Sequence, residues 1–337
     1  MMKLGKGLNQ YEWTENWAHI PNTPTISTAW SHHGIVVTHD GNIMCGHPED
    51  PQVLTFDNHG QFLKSWESNT VETHGLRLVT ENDIEYLWIA DPGRKRRVRD
   101  GYQNPPDTVQ ILGKAVKKTL DGHTEMILEH PDMPAYDHGG FLPTDVAVNE
   151  ELYGGNGDIW VTDGYGEYYV HRYDKTGNYI QSINGTEGLA GAFNNPHGII
   201  IDHRKDESEL YIADRGNGQI QVYDLSGNFK RVFGTDFLTT PSAFAVSGDQ
   251  LVVAELRAQI TILDINDNLV THLGSNEPVC EVPGWPNNVD GDGNQVRTKN
   301  LETGKFNSPH GLAVDTRGNL YIAEWLIGGR IIKLTKE

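Results

Sequence analysis

The feature that most constrains the chain is a repeated unit, seen most clearly between Asn194 and Gly234. It holds four short strand patterns, HGIII, ELYIAD, QIQVYD and FKRVFG, separated by Gly, Asn and Asp turn signals. One such four-stranded meander cannot bury both faces alone and needs neighbours of its own kind. Matching entry points recur at His33-Gly34, His74-Gly75, Thr144-Asp145, His197-Gly198, Ser242-Ala243 and His310-Gly311. Each is followed by a second strand, NIMCGH, YLWIAD, DIWVTD, ELYIAD, QLVVAE or NLYIAE. Six copies predict an all-β, six-bladed β-propeller whose first strands line a central channel.

The repeats run through nearly all 337 residues, so the expectation is a single propeller domain over 1–337. The last copy shows only three strands, HGLAV, NLYIAE and RIIKL, and residues 11–20 (YEWTENWAHI) are expected to supply its missing outer strand and close the ring. Two insertions, 92–142 and 275–306, are expected over one mouth of the channel. Within the second, DGDGNQ at 290–295 lacks the spaced acids and closing glutamate of a calcium loop and reads as a plain turn.

A formal charge of −19 argues against a nucleic-acid partner, which requires clustered Lys and Arg. The one basic run, RKRRVR at 94–99, reads as a solvated insertion. No apolar run reaches membrane-spanning length, and the N terminus lacks a secretory apolar core. With only Cys45 and Cys280, the simplest expectation is two free thiols in a reducing, cytoplasmic setting, without membrane or nucleic-acid partners and with a small-molecule substrate.

The chemistry concentrates at the entry strands. One histidine before a glycine is ordinarily a packing residue. Four in register, His33, His74, His197 and His310, point to imidazoles gathered about an axis on a divalent metal. Zinc suits such ligands best, with manganese, iron or nickel also compatible. His47 and His138 are further candidates from loops. The second strands end in His47, Asp91, Asp163, Asp214, Glu255 and Glu324. The first three acids read as turn caps, whereas Glu255 and Glu324 are candidate catalytic carboxylates that orient an imidazole or accept a proton. Tyr165 is a candidate proton acceptor, since a nearby metal and guanidinium favour a phenolate. Arg215 is a candidate for holding a substrate carboxylate.

The blades resemble NHL repeats. The run PTDVAV…DIWVTDGYGEYYVHRYDKTGNYIQSI…FNNPHGIII…LYIADRGNGQIQVYD is similar to the catalytic core of peptidyl-α-hydroxyglycine α-amidating lyases. That resemblance implies zinc held by His74, His197 and His310, a catalytic tyrosine at Tyr165 and an active-site arginine at Arg215. It also implies cleavage of a carbinolamide to glyoxylate and an amide. The chain differs from the family's pattern at Pro48, where a second arginine is expected, at Ser308 for a methionine and at Gly311 for a calcium-binding aspartate, and His33 is additional. The leading expectation is a metal-dependent lyase acting on a small hydroxylated substrate. A metal-dependent lactone or ester hydrolase, a sugar isomerase or epimerase, and a non-enzymatic NHL scaffold are the alternatives.

Overall fold

The computed structural model describes residues 2–98, 101–103 and 112–337. Arg99, Asp100 and residues 104–111 lie outside the described residues, and the expected 92–142 insertion is shorter than that span, because Lys114–Thr119 and Thr124–Leu128 pair as strands of blade 2. The chain is an all-β, six-bladed propeller built from four-stranded antiparallel meanders, the last of them with a fifth strand. Contacts divide it into two compact units, one of Met1–Asn69, Lys95–Gln103 and Ser242–Glu337, the other of Thr70–Arg94 and Asn104–Pro241.

In the first unit, blade 1 comprises Ile35–Val37, Ile43–Gly46, Gln52–Phe56 and Phe62–Glu67. Blade 5 runs Pro241–Ser247, Gln250–Glu255, Gln259–Leu263 and Leu269–Leu273. Blade 6 takes Pro309–Val314, Leu320–Glu324 and Arg330–Lys336 from the C-terminal end and its outer strand, Tyr11–Thr14, from the N-terminal end. Tyr11 pairs with Lys336 and Thr14 with Lys333, while Met2–Leu4 adds a fifth strand. A buried cluster that includes Tyr11, Trp13, Ile262, Phe306, Leu320 and Ile332 fills the space between blades 5 and 6. Apolar area removed from water at such seams is the main stabilising term for a ring of sheets. At 290–295 Asp290 accepts hydrogen bonds from the Asp292 and Asn294 amides in a turn between two-residue strands.

In the second unit, blade 2 holds Gly75–Glu81, Ile84–Asp91, Lys114–Thr119 and Thr124–Leu128. Blade 3 holds Asp145–Val148, Ile159–Thr162, Val170–Tyr173 and Tyr179–Ile183, and blade 4 holds Pro196–Asp202, Glu209–Asp214, Gln219–Tyr223 and Phe229–Phe233. Trp88, Tyr136, Phe141 and Val161 pack between blades 2 and 3. Trp160, Phe193, Ile212 and Tyr223 pack between blades 3 and 4. Arg77 braces three consecutive entry strands. Its Nε donates to Val146 O (3.1 Å), and its Nη2 donates to Ile199 O (2.8 Å) and to the Asp145 carboxylate (3.3 Å).

The His-Gly entry has a packing cause. A Cβ on Gly75 would lie 2.3 Å from Thr144 O and 2.8 Å from Asp145 Cα. Only glycine lets adjoining entry strands approach this closely. The approach leaves the histidine before it facing the next strand.

The acids that end the second strands clasp their own blades. Asp91 accepts from the amides of Val71, Glu72 and Gly93. Asp214 accepts from the Asn194 amide and from Gln219 and Gln221. Asp163 accepts from the amides of Leu142 and Glu167 and from Tyr136 Oη. In blade 3 the clasp continues outward, with Tyr136 Oη 2.6 Å from His171 Nε2 and His171 Nδ1 2.7 Å from Ser182 Oγ. Burial holds the His171 pKa down to about 3 and pushes Asp163 up to about 6.

These shifts oppose each other. His171 gives a stability contribution that is complete above its unfolded value near 6.5 and is lost as pH falls toward 3. Asp163 instead takes up its proton first in the folded state and gains below about 6. Comparison of wild type with His171→Gln isolates the histidine, because Asp163 is common to both. The wild type is expected to lose about 1.4 kcal/mol per pH unit relative to the variant below pH 6.5, measured by urea unfolding. Parallel pH curves would contradict the assignment.

Candidate functional site

In the second unit the entry strands of blades 2 and 4 and the turn after Thr162 bring together His74, His197, Tyr165 and Arg215. The rings of His74 and His197 lie 4.9 Å apart, and both residues are buried. Their ligand nitrogens fall within 4.8 Å of one another. His74 Nδ1 is 2.7 Å from Thr144 O. A carbonyl only accepts, so that nitrogen carries the proton and Nε2 keeps a lone pair, the tautomer of a metal-ligating imidazole.

Tyr165 Oη sits 3.1 Å from His74 Nε2 and 2.8 Å from His197 Nε2, and accepts from Arg215 Nη2 at 3.4 Å. The ring meets both imidazoles edge-on, at 5.2 and 5.4 Å. The Arg215 guanidinium stands 5.4 Å from the ring centroid, and its Nη1 is buried without a hydrogen-bond partner among the described residues. Arg94, a residue not singled out by the sequence, lies 5.5 Å over the same ring. Two cationic groups thus flank one phenol, an environment that favours negative charge at its oxygen or on a neighbouring ligand.

In the first unit the imidazole beside His310 is that of His32, with ring centroids 4.4 Å apart and ligand nitrogens within 4.8 Å. The register placed His33 in this role. His33 instead turns its Nδ1 to Gly34 O at 3.1 Å and is buried near Lys95 and His47, and burial lowers its pKa to about 3. His32 and His33 both precede the first pair of the blade 1 ladder, Ile35 with Cys45, so strand alternation does not fix which of the two imidazoles turns toward His310.

Glu255 and Glu324 belong to the blade clasps. Glu255 accepts from Gln259 Nε2 at 2.8 Å and from Thr261 Oγ1. Glu324 accepts from the amides of Asn307 and Ser308 and pairs with Arg330 at 3.0 Å, and burial pushes its pKa up. These bonds give both carboxylates a holding role like that of Asp91 and Asp214. His47 caps a turn, its Nδ1 accepting from the amides of Glu49 and Asp50, and His138 is exposed. The basic run is not the solvated segment expected. Besides Arg94, Arg96 stacks 3.7 Å from the Trp30 ring centroid, Arg97 pairs with Glu49 at 2.7 Å, and Lys95 is buried. Cys45 and Cys280 are free and buried. No helix among the described residues is long and apolar enough to cross a membrane.

Comparison with known proteins places these features among relatives. Residues 150–271 match a family model described as a 6-bladed beta-propeller. The chain is 28% identical over 214 residues to human NHL repeat-containing protein 3, covering 61% of this chain and 56% of that protein. It is 24% identical over 374 residues to peptidyl-alpha-hydroxyglycine alpha-amidating lyase 1 of Drosophila melanogaster, covering 95% of this chain and 63% of the relative. The chain therefore spans about three fifths of the length of these curated relatives. Among solved structures, a gluconolactonase from Xanthomonas campestris superposes with a TM-score of 0.59 at 13% identity, over 98% of this chain and 91% of that one, a likeness of fold. The chain is a six-bladed β-propeller similar to NHL-repeat proteins and to amidating lyases.

Proposed function

We propose that the protein is a metal-dependent lyase that cleaves a small hydroxylated substrate, with Tyr165 as the proton acceptor. The observation that carries this reading is the phenol oxygen held within hydrogen-bond distance of two imidazole nitrogens and one guanidinium. His74 and His197 are the proposed ligands of one divalent cation, zinc by ligand type, and the repeat register adds His310. When bound, such a cation supplies Lewis acidity to a substrate oxygen. Tyr165, as the phenolate, takes the hydroxyl proton. Arg215, whose Nη1 has no partner among the described residues, holds a substrate anion through its planar fork. As the hydroxyl oxygen becomes a carbonyl the C–N bond breaks, its electron pair goes to the nitrogen, and the proton taken by Tyr165 passes to that nitrogen to release a neutral amide. The similarity to an amidating lyase across most of the chain supports this reaction class, and the two buried thiols support a cytoplasmic setting.

The test uses protein purified without a histidine tag and N-benzoyl-α-hydroxyglycine as the probe. Wild type is expected to carry stoichiometric divalent metal and to release glyoxylate and benzamide, and His197→Ala to lose both. A variant retaining metal and activity would remove His197 from the mechanism. The mass of the product separates the alternatives, since hydrolysis adds water and isomerisation leaves the mass unchanged. The similarity to NHL repeat-containing protein 3 favours a binding scaffold as the second reading, for which no stoichiometric metal is expected.

A further inference from the structure

Blade 6 carries a cavity built from elements that the proposed lyase chemistry does not use. It measures about 330 Å³ and is lined by Asn16, Ala18, His19, Ile20, Gly328, Gly329 and Ile331 together with Arg297 and Arg330. The size is at the lower end of the range for small-molecule sites. Its lining offers two guanidiniums and an imidazole and includes no carboxylate.

The two arginines differ in what they have left to give. Arg330 is spent. Its Nε and Nη2 hold the Glu15 carboxylate at 2.6 and 2.8 Å, its Nη1 holds Glu324 at 3.0 Å, and the remaining donors reach Lys305 O and Glu302 O. Arg297 makes a single hydrogen bond among the described residues, from Nη1 to Ile327 O. The two carboxylates whose charge acts on it, Glu15 and Glu324, already spend their oxygens on Arg330, on the Trp13 indole and on the Asn307 and Ser308 amides. Burial and the adjacent Arg330 charge pull the Arg297 pKa below the usual arginine range. A cation so placed is stabilised by any anion that reaches its open edge, and the planar fork fits a carboxylate or phosphate with two parallel bonds. Ala18, Ile20 and Ile331 supply an apolar wall beside it.

We propose that this cavity is a binding site for a small oxyanion with a short apolar tail, a short-chain carboxylate, held by Arg297. The occupant bridges the chain after the N-terminal strand, the final strand and the 275–306 insertion, so its binding is coupled to the stability of blade 6. A ligand that binds only the folded state raises the melting temperature by mass action.

Thermal unfolding of the full chain, treated with chelator, is followed with sodium butyrate, inorganic phosphate or sodium chloride at matched ionic strength. Butyrate is expected to raise Tm by about 2 °C over chloride in wild type and to have no such effect in Arg297→Gln. A phosphate shift lost in the same variant supports the oxyanion site and assigns it to a phosphorylated ligand instead. Absence of any shift beyond chloride, or an equal shift in the variant, overturns the proposal. Should Arg297→Gln fail to fold, Arg297→Lys keeps the charge and removes the fork. Calorimetric titration is then expected to show butyrate binding weakened by about tenfold, and an unchanged Kd overturns the proposal. Neither readout depends on lyase activity.

Discussion

Tyr165→Phe is expected to lower kcat for glyoxylate release by about 10²- to 10⁴-fold, the range supplied by a positioned acid or base, with metal content unchanged. The substitution deletes one oxygen. That oxygen is what meets His74 Nε2, His197 Nε2 and Arg215 Nη2, while the edge-on ring contacts with both histidines survive in phenylalanine. The imidazoles therefore stay in place to hold a cation, and KM is expected to move little. Elemental analysis and steady-state kinetics on the same preparation check both halves of the statement. A variant that keeps kcat within a few-fold of wild type would exclude Tyr165 as the proton acceptor and leave the histidines without their proposed partner.

The second large effect lies in the scaffold. Arg77→Met is expected to cost about 3 kcal/mol of stability, because removal of one partner leaves a buried carboxylate uncompensated and two carbonyls without a donor. Asp145 is buried, and burial already pushes its pKa up, with Arg77 the main opposing influence. In the variant that pKa rises further, so the folded state binds a proton more readily than the unfolded one. The stability deficit should then shrink as pH falls from 7 toward 5. Adding Asp145→Asn should recover part of the loss at pH 7, since it removes the uncompensated charge while the one amide oxygen still accepts from either the Ile199 or the Val146 amide. Urea unfolding of the single and double variants measures this. A deficit under 1 kcal/mol, or one independent of pH, would mean that the brace carries little load.

The blades were legible in the sequence because strand patterns and turn residues are local signals. The six entries and six second strands fall where alternation and Gly, Asn and Asp punctuation placed them. The side-chain directions at the entries were less legible. His32 and His33 are adjacent and both precede the first ladder pair of blade 1, Ile35 with Cys45, so alternation along the strand does not say which imidazole meets His310. The acids of the second strands looked alike whether they serve chemistry or architecture, and their partners lie in the third strand or in amides some twenty residues away, as for Asp91 and Val71. Arg77 could have been noticed. Asp145 follows Thr144 where the other entries carry a small residue, and a carboxylate in a buried strand requires a cationic partner. The basic run misled because its spacing resembles a solvated segment, whereas Trp30 and Tyr165, distant in sequence, draw its arginines inward.

The pairing of Tyr11–Thr14 with Arg330–Lys336 has a bearing on biosynthesis. Glu15 is made 315 positions before its ion partner Arg330. At ribosomal speeds of 5 to 20 residues per second, the first strand waits about 15 to 60 s for a sheet to join. Throughout that interval Tyr11 and Trp13, fully packed in the finished blade, face solvent or a chaperone. The earlier blades can mature vectorially, but the final one recruits its outer strand from a segment made before any of them, so it closes only once Arg330–Lys336 has emerged.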